Sequence, residues 1–394
     1  MPLITTTAQI LNPGWAPKTW HNFLLYQVVT AMITLTCLKG SRWLERLAYI
    51  GGFALFALFF TVIGVVLGGP DELASHEIVW QKIENGTGWP FGLAVLLGAS
   101  SPLAGYGPTH WMLNMADDVH DPRRTIPLAI LAQQVGSVST LFVLFIALGY
   151  GVGADWASIV TTPYRSPIGA IFEICSGSKA AAASLVVLMF VLAILTAASY
   201  TSAAARLVYG FAQSKAIPGG HWLAQYNEKD QIPRQIIYVI YGTNVILGFT
   251  LLGSSSGLAT LVGAATAMFS IGYLPMFVGY VLTRGRYMVK TGWFKLPRWL
   301  SLAVATFNIF SVLAQSVVLC LPPVNPITPE NMNWASVISG FFLLALAVLY
   351  WVYARERYQL TDIILSVDQG GSPDIPDGLP GKTIEASNQE QKVE

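Results

Sequence analysis

Nine stretches of this chain are apolar for close to the 20 or so residues that a helix needs to cross a bilayer. They run Asn22 to Leu38, Leu47 to Gly69, Phe91 to Trp111, Leu128 to Val152, Ala180 to Ala205, Ile236 to Leu252, Leu258 to Leu282, Leu300 to Leu321, and Trp334 to Tyr353. None contains Asp, Glu, Lys or Arg, and only the third contains a histidine, His110. In hydrocarbon a helix satisfies its own backbone donors and acceptors, so the pattern predicts an all-α integral membrane protein with nine transmembrane helices. A charge relay at mid-membrane is not expected within these spans. Trp20, Trp43, Trp89, Trp111, Trp299, Trp334 and Trp351 fall at span edges, where an amphipathic ring prefers the headgroup boundary.

Composition agrees with the pattern: 54% of residues are hydrophobic and 11% charged, against roughly 25% charged in a soluble domain. The basic residues then orient the bundle. Counted over alternate loops, sixteen lysines and arginines fall on one side, among them Arg42, Arg46, Arg123, Arg124, Arg284 and Arg298, and four on the other: Lys18, Lys82, Arg165 and Lys179. The positive-inside rule places the C-terminus in the cytoplasm and the N-terminus outside or in a lumen. The membrane itself, plasma or vacuolar/endomembrane, stays open.

Residues 1–361 read as one multi-pass domain. Residues 362–394, rich in Pro, Gly and acid, read as a disordered cytoplasmic tail. Met1 to Lys18 has neither the charged start nor the apolar stretch of a signal peptide, and an external N-terminus without one is expected to follow further spans. Asn85-Gly86-Thr87 is a glycosylation sequon on the external side, although its closeness to Trp89 works against use. Cys37, Cys175 and Cys320 show no metal or disulfide spacing and read as packing residues. Nucleotide loops, zinc spacings and nucleophile triads are absent, so no cofactor, metal, ATP-driven step or nucleic-acid partner is expected. A membrane enzyme would have to rely on Asp117, Asp118 and His120, which lack a recognisable spacing.

The third span carries the sharpest signal. Pro108 cannot donate to the carbonyl of Ala104, and Gly105 and Gly107 withdraw side-chain support on either side, a loss of about 3 kcal/mol at the proline alone. A helix unwound there needs a protected, polar place, and a substrate cavity is one. Gly105, Tyr106, Gly107, Thr109 and His110 are the candidate substrate-binding residues. The bland alternatives are a passive kink, and for His110 a hydrogen bond between helices. Asp117, Asp118 and Asp121 with Arg123 and Arg124 then form a charged turn, read either as a gate or as a solvated loop. Further on, the fifth span continues as a helix toward Pro218 with a face of small residues, Ala198, Thr201, Ser202 and Ala205, that lets another helix approach closely. Arg206 leaves the membrane on that helix and is a candidate partner for Asp117 or Asp118 in a cytoplasmic gate.

The runs GYGPTHWMLNMADDVHDPRRTIPLAI and AAARLVYGFAQSKAIP resemble two cytoplasmic-edge motifs of fungal amino acid/choline/GABA permeases, in the amino acid, polyamine and organocation superfamily. The likeness continues through ENGTGWPFG and LPPVNPITPENMNWASVISG and covers about Ala8 to Tyr358. It implies a LeuT-like inverted-repeat transporter fold in which the nine spans are helices four to twelve and the first three are absent. It also implies an amino acid or related small amine (GABA, choline) as substrate, secondary alternating-access transport coupled to protons, and the lipid bilayer as surroundings. Gly105, Tyr106 and Gly107 would be unwound backbone for substrate, Asp117 and Asp118 edge acids, and Arg46 an ion-site candidate where relatives often have lysine. His110 and Asn114 stand where relatives often have an acid and a histidine, so substrate choice does not carry over. With helices absent, the alternative is a non-transporting fragment or regulator of the same fold.

Overall fold

In the computed structural model the described residues are 2–81, 83, 85–105, 112–113, 119–153, 156–225, 232–253, 257–286, 294–328 and 332–358. Among them the regular structure is helical. The helices are α1 (Pro2–Leu11), α2 (Thr19–Leu38), α3 (Ser41–Gly68), α4 (His76–Trp80), α5 (Phe91–Gly105), α6 (Pro122–Val152), α7 (Trp156–Val160), α8 (Pro167–Ser176) and α9 (Lys179–Gln213). They continue with α10 (Gly220–Leu223), α11 (Arg234–Gly248), α12 (Thr250–Gly253), α13 (Gly257–Gly272), α14 (Leu274–Thr283), α15 (Arg298–Leu319), α16 (Ala335–Leu349) and, after a π turn, α17 (Arg355–Arg357).

Eight helical stretches among the described residues are long and apolar enough to cross a membrane, and together they make this a multi-pass membrane protein. The remaining expected span, Phe91 to Trp111, is represented by α5, and its residues 106–111 lie outside the described set, as does the expected tail at 362–394. Two spans are interrupted: Pro275 restarts the chain as α14 after α13, and α11 passes to α12 at Phe249. Polar residues inside the spans are carried by back-bonding. Thr30, Thr34, Thr61, Thr196 and Thr201 each donate to the carbonyl four residues earlier, so these hydroxyl protons are not left to the hydrocarbon. The outward faces are apolar: Phe53, Phe60, Phe307, Leu282 and Val352 are exposed, a surface that a bilayer covers at no cost.

The 35-residue α9 is the central pillar and threads two cores. The first gathers Val62 and Val66 of α3, Leu148 and Val152 of α6, Phe172 and Cys175 of α8, and Val186 and Leu192 of α9. The second, toward the basic end, gathers Cys37, Leu44, Ala198, Ala205 and Ala212 with Ile236 and Ile237 of α11. The small face of α9 is used as expected: Ala198 and Ala205 are buried, and the Cys37 thiol donates to the Ala198 carbonyl at 3.3 Å. The helix stops at Gln213, short of Pro218. Lys215 takes a left-handed φ of 57° and the Ala216 amide reaches back to the Phe211 carbonyl, which closes the last turn. Helices α13 to α16 pack on one another, with α5 against α15.

The sequence reading assigns the N-terminal segment no element of its own. That segment forms α1, whose Thr5, Thr6, Gln9 and Ile10 are buried against α8 and α9. Gln9 donates to the Pro163 carbonyl and accepts from the Arg165 amide, and Thr6 Oγ1 accepts from the Ser166 amide. At ten residues this element is too short for a span pattern, and its burial depends on partners more than 150 positions away.

Candidate functional site

The candidate substrate helix α5 is approached through a built turn. Asn85 Oδ1 accepts from the Thr87 amide (3.1 Å) and hydroxyl (2.7 Å), Asn85 Nδ2 donates to the Trp89 carbonyl (2.7 Å), and Pro90 receives the first helical amides from Leu93 and Ala94. A second loop clasps this turn. The Asn325 amide donates to the Thr87 carbonyl at 2.8 Å, Asn325 Nδ2 to the Gly88 carbonyl at 3.2 Å, and Trp89 Nε1 to the Pro322 carbonyl at 3.2 Å. Gly88 has a φ of +73°, and a Cβ there would lie 2.3 Å from the Asn325 carbonyl oxygen. Glycine is required on both counts. The sequon side chains therefore hold the turn that starts α5 and ties it to the end of α15.

From that anchored start α5 runs to Gly105, the first of the predicted substrate positions. Tyr106, Gly107, Thr109 and His110, and the gate acids Asp117 and Asp118, lie outside the described residues. Arg206 is half-buried on α9, between the buried Ala205 and the exposed Leu207, near the basic end. Arg46 is exposed in the second turn of α3, at the same end. No group of three metal-ligating side chains comes together among the described residues.

One residue that the sequence reading passed over stands out. Gln133 lies eleven residues into α6 and five into the apolar run that starts at Leu128, about 8 Å inside the bilayer core. Its Oε1 is buried with no hydrogen-bond partner among the described residues. A buried carbonyl oxygen left without a donor costs about 1–3 kcal/mol, which singles Gln133 out as a candidate contact for a polar solute. The visible signal was the pair Gln133-Gln134 inside an otherwise apolar span; a screen for charged residues alone does not find it.

Toward the opposite, less basic end, Tyr164 donates to Glu173 Oε2 at 2.5 Å, and Lys179 lies 4.0 Å from the other carboxylate oxygen. Burial first, then the carboxylate that accepts its proton, pushes the Tyr164 phenol up to about 12. Burial likewise pushes the Cys175 thiol up, which leaves it a packing group rather than a nucleophile. At the basic end, Arg355 stacks over Trp351 at 4.6 Å and Lys39 over Trp43 at 5.1 Å, pairing cations with interfacial rings.

Comparison with known sequences agrees with this membrane architecture. Over 354 residues the chain is 23% identical to a choline transporter of Saccharomyces cerevisiae, an alignment that covers 88% of this chain and 61% of the relative. It is 25% identical to an uncharacterized amino-acid permease of Schizosaccharomyces pombe, covering 91% of this chain and 64% of the other. To amino-acid permease 2 of Neurospora crassa it is 23% identical, covering 91% and 65%. The chain thus spans less than two thirds of the length of these three relatives. The sequence model of the amino acid permease family matches residues 3–344, most of the chain and all but the end of the last apolar span. This multi-pass chain belongs to the amino acid permease family.

Proposed function

We propose that the chain moves an amino acid or a related small amine, such as GABA or choline, across a membrane by secondary alternating access. Permeases carry solutes and leave them chemically unchanged, so no catalytic residues are assigned. The observation that carries the reading is the family match over residues 3–344, and relatives named as a choline transporter and as amino-acid permeases give the substrate class. Gly105, Tyr106, Gly107, Thr109 and His110 supply substrate contacts in this reading, and Gln133 adds an acceptor within the membrane for a substrate N–H. Asp117, Asp118 and Arg206 form a cytoplasmic gate, Arg46 a fixed positive charge beside an ion site, and protons drive uptake. The C-terminus faces the cytoplasm, in a plasma or endomembrane.

The test is uptake of radiolabelled choline, GABA and neutral amino acids into proteoliposomes holding the purified chain, with and without a pH gradient. Concentrative uptake of one of them, collapsed by a protonophore, supports the whole reading; uptake indifferent to the gradient removes proton coupling.

A further inference from the structure

A shallow cavity of about 390 Å³ opens beside the start of α6 and is lined by apolar side chains: Pro122, Ile126, Pro127, Ile130 and Leu131 of α6, with Leu113 and Phe294 opposite. The α6 residues recur at intervals of four (122, 126, 130 and 127, 131), so they form one continuous stripe along the helix. From Pro122 to Leu131 the stripe extends about 14 Å, from the headgroup region across the interface into the outer part of the hydrocarbon layer. Among the described residues the rim at that boundary is mainly cationic. Arg123 and Arg124 follow Pro122 in the first turn of α6, and Lys295 and Arg298 follow Phe294 into α15; Asp121 is the described acid among them. All five are exposed.

We infer that this groove holds an anionic phospholipid of the leaflet at the basic end, one acyl chain along the Ile126–Ile130–Leu131 stripe and its phosphate among Arg123, Arg124, Lys295 and Arg298. An apolar trench in the hydrocarbon ending under a cluster of cations matches the two halves of such a lipid, and each lysine or arginine beside an anionic headgroup contributes about fivefold in affinity. A second copy of this chain would bring the same cationic rim and be repelled. A zwitterionic lipid would fill the trench and bring no net charge to these cations.

The experiment titrates the purified full chain, in neutral detergent, with phosphatidylserine and separately with phosphatidylcholine of the same acyl chains, and counts bound lipid by native mass spectrometry. Phosphatidylserine should bind in preference, and R123Q and K295Q should each weaken it about fivefold. L131W, which fills the trench and leaves the rim intact, should abolish retention. L113W on the facing wall repeats the test in case L131W does not assemble, with unfolding midpoints confirming that each variant is folded. Equal retention of the two lipids overturns the inference. So does unchanged phosphatidylserine binding in folded L131W or L113W, which would mean that the basic end attracts headgroups without a groove.

Discussion

Gly151 of α6 lies at the closest approach between α6 and α3. A Cβ at this position would lie 2.3 Å from the Val66 carbonyl oxygen and 2.5 Å from Val66 Cγ1. An ordinary carbon–oxygen contact is about 3.3 Å, so the two helices would have to part by about 1 Å. Val66 cannot turn away, because it is fully buried in the core formed with Val62, Leu148, Val152 and Phe172. Overpacking of this kind costs about 1–3 kcal/mol, while Gly→Ala within a helix returns up to about 1 kcal/mol of propensity. Gly151→Ala should therefore destabilise by up to about 2 kcal/mol. The matched control is Gly64→Ala, two residues before Val66 on α3 with nothing within 4 Å of the new methyl, which should be neutral or slightly stabilising. Both variants would be unfolded reversibly in mixed micelles and followed by circular dichroism; the thermal shift should be no more than about 2 °C per kcal/mol for a chain of this size. Equal midpoints for the two variants would refute the close-approach argument, since they differ only in what the added methyl meets.

Gln133→Leu removes an orphaned buried oxygen and should raise stability by about 1–2 kcal/mol while reducing uptake at least tenfold; full uptake in the stabilised variant would show that Gln133 takes no part in transport. Gly88→Ala should break the clasp before α5, at a cost of about 1–3 kcal/mol from the left-handed φ and the contact with Asn325, and hydrogen exchange at the Asn325 amide should accelerate. The phenol of Tyr164 is held above its ordinary value of 10.0, so its contribution to stability is complete below pH 10 and drains as pH rises toward about 12. Tyr164→Phe should flatten the loss of stability across that alkaline window, and an unchanged pH profile would discount the Glu173 contact. Arg206→Ala should assemble normally and lose most uptake if the gate reading holds; normal uptake removes Arg206 from the gate.

How much of this was legible beforehand follows from the range of each interaction. An apolar run of 20 residues has one low-energy answer in hydrocarbon, because the helix satisfies its backbone locally, so the spans, their edges and the small face of α9 could be read from the chain alone. Exposed Trp20, Trp299 and Trp351 at span ends repeat what the aromatic pattern implied. Local signals fail where the deciding partner is remote. That α1 would be buried depends on Pro163 and Arg165, and that Gly88 must be glycine depends on Asn325, 237 residues away. The need for glycine at 151 comes from Val66 on another helix, while Gly64 looks the same in sequence and faces open space. The groove beside α6 likewise joins residues 113, 122–131 and 294, which no window of sequence contains. Sequence by itself determined which segments cross the membrane and which family they belong to. Only the tertiary structure decided which small or polar residues are placed under constraint, because a glycine or a glutamine acquires its meaning from the atoms that packing brings against it.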